Sequence, residues 1–264
     1  MDVLAEIVAA KRREVEHLRQ RTSLEGLRRA AGFQPHPDFG TALLGARGGM
    51  GLIAEIKQRS PSRPVIRADL RPGQVAASYQ RAGVQAVSVL ADRKYFGGGE
   101  DVFRKVREAI DLPLLYKEFV VDPIQVWHAA ALGASAVLLI AALHPTEHLR
   151  RLVEECREAD LTALVEVHDE SDLDRALQAG AFCIGVNNRD LSTLKVDMAV
   201  TRRLVPQIPS GHVKISESGI SSPHVVRELV DLGVQAVLVG EHLLRQPDPG
   251  RAAEELMREV WGSS

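Results

Sequence analysis

Glu55 and Lys57 close the apolar run LIAEIK two residues apart, a spacing that puts both on one face of a strand. Lys117 and Phe119 end LPLLYKEF with the same spacing, Glu166 ends TALVEV, Asn187 lies at the end of FCIGVNN, and Glu217 with Ser218 ends HVKISES. A charge among valines, isoleucines and leucines is costly unless it is paired or has a task. Any one of these positions, taken alone, is equally well explained as an interstrand ion pair or a solvated rim residue. Five strand ends carrying such groups make a purely structural account much weaker. Carboxylates and ammonium groups aimed at one mouth would form an acid–base set whose proton affinities neighbours can tune. Glycines supply a second signal. ISESGI ends with Gly219 close behind the strand, and VLVGEHLL places Gly240 ahead of a short helix pattern at 241–245. Glycine lets backbone N–H groups approach an anion and a helix start favours negative charge, so the pair points to a phosphorylated ligand.

Positioning these groups requires strands in a common sheet. The apolar runs fall at 52–57, 86–90, 112–119, 136–143, 162–167, 182–188, 212–218 and 236–241, with amphipathic helix patterns between them such as DVFRKVREAI and EHLRRLVEECREAD. Several of those helices end at Gly83, Gly133, Gly180 or Gly233, the expected left-handed cap before the next strand. Strands alternating with helices require parallel pairing, and continuously apolar strands are buried on both faces. Eight such units in a chain of 264 residues predict a closed (β/α)8 barrel over residues 51–264. Residues 1–50 read as a helical extension. Leu4, Ile7, Val8, Lys11, Val15 and Leu18 share a face of a helix over 2–20, a second short helix covers 23–31, and the Gly- and Pro-rich stretch 32–51, with Pro35 and Pro37, reads as loop. The basic run Lys11-Arg12-Arg13 is expected on a solvated helix face.

Composition excludes several classes of function. Apolar residues make up 45% of the chain, charged residues 26%, and the net charge is −2, so a large core is available and no basic surface for nucleic acid is expected. No run approaches the length of a membrane span, and the acidic, amphipathic N-terminus is unlike a targeting peptide. Cys156 and Cys183 are the two cysteines and form no CxxC pair, which favours reduced thiols and a cytoplasmic setting. Histidines do not cluster with cysteines at ligand spacing and no dinucleotide fingerprint follows the first barrel strand, so neither metal nor cofactor is expected. His168, two residues beyond Glu166, is read as a rim residue.

The strings AEIKQRSPS (54–62), SVLADRKYFGGGEDV (88–102), LLYKEFVVDPIQV (114–126), LVEVHDESDLDRAL (164–177), IGVNNRDL (184–191), ISESGI (215–220) and VGEHLLRQPDPG (239–250) occur in one order. In that order they resemble the indole-3-glycerol phosphate synthases, as does LAEIVAAKRREVE in the N-terminal helix. The resemblance implies a carboxy-lyase of tryptophan biosynthesis. Its reaction closes the ring of 1-(2-carboxyphenylamino)-1-deoxyribulose 5-phosphate with loss of carbon dioxide and water. It implies that Lys117 is the general acid, that Lys57 serves the substrate carboxylate and shares in dehydration, that Glu55 and Glu166 give base and electrostatic support, and that Asn187 orients a substrate hydroxyl. Glu217 and Ser218 would line the ribulose. Ser60, Gly219, Gly240 and the Glu241 backbone would hold the phosphate. Phe96, Phe119, Leu138 and Leu191 would form the slot for the anthranilate ring, with Arg189 among the substrate contacts. The order in which the two lysines act is open in the sequence. A monomer is implied, with room for weak association with other tryptophan-pathway enzymes.

Some positions depart from the family's usual residues. Arg63-Pro64 stands for Lys-Gly and restricts the loop after the first strand, Ala91 stands for Thr, Gly97 for an amide residue, and His242 for a small hydroxyl residue. Glu118 stands for Asp, and its parity points it away from the mouth. Two rivals remain: a phosphoribosyl isomerase of the same architecture, which the Glu55/Lys57/Lys117 set disfavours, and a barrel that binds a phosphorylated ligand or a protein without turnover.

Overall fold

The computed structural model describes residues 3–32, 36–61 and 63–262. Asp2 of the expected first helix, Pro35 of the expected loop and Ser62 of the first-strand motif lie outside them. Eight parallel strands form a closed barrel in sequence order: β1 (Gly51–Ile56), β2 (Ala86–Leu90), β3 (Leu114–Lys117), β4 (Ala136–Ile140), β5 (Thr162–Val167), β6 (Cys183–Asn187), β7 (Val213–Glu217) and β8 (Ala236–Val239). Each matches one of the eight apolar runs. The 136–143 run divides, its last three residues Ala141–Leu143 forming a 3-10 turn.

Strand parity sorts the side chains into two cores. Leu52, Ala54, Ile56, Val87, Val89, Val137 and Leu139 point outward beneath the helices. Ile53, Ala86, Leu115, Ala136, Leu138, Leu164, Ile215 and Leu238 fill the interior. The register carries the inward parity around the ring, pairing Glu55 with Ser88, Glu166 with Gly185 and Asn187 with Glu217. On five strands the inward residue at the C-terminal end is therefore polar, stacked on an apolar barrel, while β2, β4 and β8 end inward on Leu90, Ile140 and Leu238. The helix-terminating glycines have φ of 78, 81, 79 and 90° at Gly83, Gly133, Gly180 and Gly233, a conformation that disfavours any residue with a Cβ.

The N-terminal segment departs from expectation in two places. The stretch expected as loop contains the helix Phe39–Leu44, capped by the Asp38 side chain, followed by a 3-10 turn at Arg47–Gly49. FGTALL sets Phe39 and Leu43 four residues apart on one face. Both are fully buried against the barrel interior, closing its N-terminal end. Lys11 is also not solvated. Its side chain is 1% exposed, and its Nζ lies 2.6 Å from Asp92 and 3.0 Å from Glu118, just beyond β2 and β3. The helix Val3–Arg21 thus crosses the loops at the C-terminal ends of these strands. The helix Leu24–Ala31 packs on the helix Pro123–Ala131.

Candidate active site

A cavity of 740 Å³ opens at the C-terminal ends of the strands and is lined by every candidate residue: Glu55, Lys57, Ser60, Phe96, Lys117, Phe119, Leu138, Glu166, Asn187, Arg189, Leu191, Glu217, Ser218, Gly219, Gly240 and Glu241. The acid–base groups meet in it directly. Lys57 pairs with Glu55. Lys117 Nζ donates to Glu217 Oε2 at 2.6 Å and to Glu166 Oε2 at 3.4 Å. Two glycines make room for these carboxylates. A Cβ at Gly240 would lie 2.6 Å from Glu55 Oε1, and one at Gly185 would collide with Glu217 Oε1.

Electrostatics separate the two acids that share Lys117. Burial works against the Lys117 charge, but Glu217, Glu166 and Glu55 outweigh it and hold the ammonium well above its ordinary range. Burial also works against Glu166, yet Lys117, then His168 and Asn187, keep it below the usual carboxylate range. For Glu217, burial and the repulsion of Glu166 and Glu55 prevail over Lys117 and push it above that range. Around one ammonium there are thus two buried carboxylates in different electrostatic settings, an arrangement suited to moving protons at a reacting centre.

An apolar slot adjoins the charges. The rings of Phe96 and Phe119 stand 6.1 Å apart at 37°, with Leu138 and Leu191 also on the cavity wall. Lys11 holds both rings indirectly. Asp92 Oδ1 accepts the backbone N–H of Tyr95 and, at 3.3 Å, that of Phe96, while Glu118 Oε1 accepts that of Phe119 at 2.7 Å. Glu118 pairs with Lys11 of the N-terminal helix, yet it also lines the cavity, which its parity did not suggest. Burial is the main force pushing its carboxyl up to about 7, with Lys11 opposing and Asp92 adding.

The loops after β7, β8 and β1 surround the remaining end. Ser218 and Gly219 both take left-handed backbone, φ 67° and 81°. A non-glycine residue there costs about 1 kcal/mol or more unless its surroundings impose it. Asn188 imposes it. Fully buried, its Nδ2 donates to Ser216 Oγ, Glu217 O and Ser218 O, and its Oδ1 accepts from Thr201. After β1, Ser60 and Arg63 exchange backbone hydrogen bonds, Arg63 Nε reaches Glu241 Oε1 at 2.8 Å, and Arg67 donates to the carbonyls of Leu244, Gln246 and Pro247. The Arg63-Pro64 departure therefore lies in a loop tied to the segment behind β8. Asn187 Oδ1 accepts the Arg189 N–H, and the Arg189 guanidinium donates to Leu194 O while lining the cavity.

Sequence reasoning missed Leu4 and Ile7, which bring the N-terminal helix into the cavity wall, and also Arg245 and Gln246 behind β8. It missed Asn188, for which the doubled asparagine in IGVNNRDL was the available signal. His168 is more than a rim residue, for it lies between Glu166 and Asp172 at 3.3 Å from each. His144 and His148 are four residues apart with rings 4.9 Å apart edge to face. Among the described residues no group of three His, Cys, Asp or Glu could hold a metal ion.

A family model described as indole-3-glycerol phosphate synthase matches residues 4–256. A relative of that name from Kineococcus radiotolerans is 42% identical over 261 residues, covering 97% of this chain and 95% of its own. One from Geobacillus is 39% identical over 98% of both chains, and "Indole-3-glycerol phosphate synthase 1" of Streptomyces coelicolor is 41% identical over 97% of this chain and 95% of its own. Among solved structures, 3-hexulose-6-phosphate synthase from Salmonella typhimurium superposes with a TM-score of 0.65 at 14% identity, over 80% of this chain and 98% of that one. Thiamine phosphate pyrophosphorylase from Pyrococcus furiosus gives 0.61 at 16% identity, over 81% and 96%. At such identities these two matches speak to the barrel alone.

Proposed function

The chain belongs to the indole-3-glycerol phosphate synthase family, and from that premise we propose that its cavity closes, decarboxylates and dehydrates 1-(2-carboxyphenylamino)-1-deoxyribulose 5-phosphate. The phosphate lies against the backbone at Gly219, Gly240 and Glu241, with Ser60 beside it, and the anthranilate ring enters the slot walled by Phe96, Phe119, Leu138 and Leu191. The ring carbon bearing the carboxylate attacks the ribulose ketone carbon while Lys117 delivers a proton to the ketone oxygen. The aromatic system is left as an iminium. Loss of carbon dioxide returns the bonding pair to the ring. The new hydroxyl then leaves as water, protonated by an ammonium, as a carboxylate removes the proton whose loss completes the indole.

Lys57 holds the substrate carboxylate and shares in the dehydration. Glu55 and Glu166 provide base and negative charge against the iminium, Asn187 orients a hydroxyl, and Glu217, Ser218 and Arg189 line the ribulose. Fixed charges in a site shielded from water stabilise developing charge without first having to reorganise, which is where most of the barrier reduction arises. The observation that carries the reading is Lys117 poised between the carboxylates of Glu166 and Glu217, beside an aromatic slot.

Residues 1–50 act in this reading as a helical extension of a barrel at 51–264, and the molecule works as a cytoplasmic monomer, with at most weak association with other tryptophan-pathway enzymes. Among the described residues no helix is long and apolar enough to cross a membrane. Purified protein mixed with the anilino-ribulose phosphate should develop indole fluorescence with release of one carbon dioxide per product. No product alongside an active control enzyme would overturn the assignment.

A further inference from the structure

His168 stands two residues past Glu166, just beyond the end of β5, and does not line the cavity. Its Nε2 lies 3.3 Å from Glu166 Oε1, and its Nδ1 lies 3.3 Å from Asp172 Oδ2. Asp172 is buried in the first turn of the helix Glu170–Gln178. Its Oδ2 also accepts the His168 backbone N–H at 3.0 Å, and its Oδ1 pairs with Arg175. The other Glu166 oxygen, Oε2, faces Lys117, which in turn reaches Glu217. A row of six groups of alternating charge thus runs from the cavity to the outer helix: Glu217, Lys117, Glu166, His168, Asp172 and Arg175. Each oxygen of Glu166 has its own cation. Beyond these groups, the one-turn segment Ala141–Leu143 packed on β5 and on the Glu170–Gln178 helix is apolar, and the neighbours of Glu166 across the sheet are Ile140 and Gly185.

We propose that His168 is a positioning residue for the reaction, an imidazolium anchored by Asp172 that fixes the Glu166 carboxylate in its ionised form and in one orientation towards Lys117. Burial works against the His168 charge, but Asp172 and Glu166 raise its pKa to about 10, so the cation persists through the neutral range. Without it Glu166 would keep only Lys117 and Asn187, and Lys117 is closer to Glu217. Glu166 would then compete for that ammonium with a carboxylate that stands nearer to it. The row also explains why a histidine two residues beyond a strand-end glutamate is half-buried between two acids. The inference rests on the assignment of Glu166 to the reacting centre.

The test is steady-state kinetics across pH on His168→Asn, with His168→Gln in reserve should the first fail to fold. The expected result is a kcat lower by roughly 10–100-fold, the range seen when the outer partner of a working ligand is removed, with KM little changed. The acid limb of kcat should move to higher pH by about one unit or more, because an opposite charge near a carboxylate is worth that much. Asp172→Asn should shift the limb in the same direction by less. A merely structural histidine would lower thermal stability and active fraction while leaving the limb in place, and that result in a folded variant overturns the proposal. Glu166→Gln separates the two levels. If it is severely impaired while His168→Asn is not, only the role of His168 falls. If Glu166→Gln turns over normally, the assignment of Glu166 falls, and the role of His168 with it.

Discussion

At the scale of single residues, function turns on what surrounds Lys117. Its ammonium touches two buried glutamates, so the site holds one cation and two carboxylates within one hydrogen-bonded group. Lys117→Ala should lower turnover by about 10²-fold or more, the usual contribution of one positioned acid. Fluorescence titration should still find ligand bound in the slot and phosphate seat. Loss of binding in step with turnover would mark Lys117 as an anchor rather than an acid. These residues were readable in the sequence because they break apolar strands at inward parity: Glu55, Lys117, Glu166 and Glu217 each follow two-residue spacing from a buried aliphatic. Asn188 escaped because its parity points out of the barrel, and its task emerges only from the Ser218–Gly219 backbone it grips. His168 was half visible. Its place just past Glu166 could be counted, whereas Asp172 and Arg175 become its partners only when the next helix folds back over β5.

At the scale of elements, the helix Val3–Arg21 is joined to the mouth through one buried ammonium. Lys11 neutralises Asp92 and Glu118, and those acids set the backbone of the residues that carry the two aromatic rings. Lys11→Met should cost roughly 3–5 kcal/mol in denaturant unfolding, since removing one partner strands buried charge, and should raise KM by loosening the slot. Glu118 gives the same cluster a pH signature. Its carboxyl is raised from 4.5 to about 7 in the native state, which therefore binds more protons than the unfolded chain. Its contribution to stability is full below about 4.5, falls as pH climbs from there to about 7, and is flat above. Unfolding midpoints measured across that window should show a decline that Glu118→Gln removes. If the decline is unchanged in the variant, its source lies elsewhere. Nothing in the sequence could pair residue 11 with residues 92 and 118. The periodicity placed Lys11 on the buried helical face, while the adjacent arginines argued for a solvated one, and burial prevailed because two acids waited there.

At the scale of the whole molecule, the barrel separates stability from chemistry along its axis. The barrel itself was clear from eight apolar runs and their glycine caps. The plug at its base was not, because the flanking prolines and glycines of 32–51 obscured the one helical turn that holds Phe39 and Leu43. Leu43→Ala should destabilise by about 2–5 kcal/mol through lost burial and a cavity while kcat/KM well below the melting temperature stays at the parent value. A fall in kcat/KM would show that the two ends communicate.

Gly185 has an implication of its own. The Glu217 carboxylate leans into space that β6 leaves empty, because the inward residue there has no side chain. The placement of an acid on one stave is thus written partly as a missing methyl group on the next. In a saturation survey, position 185 should tolerate almost nothing, not even the smallest addition. Those losses would be easily misfiled as folding defects when the damage is to an acid two residues beyond the pairing of Gly185 with Ile215.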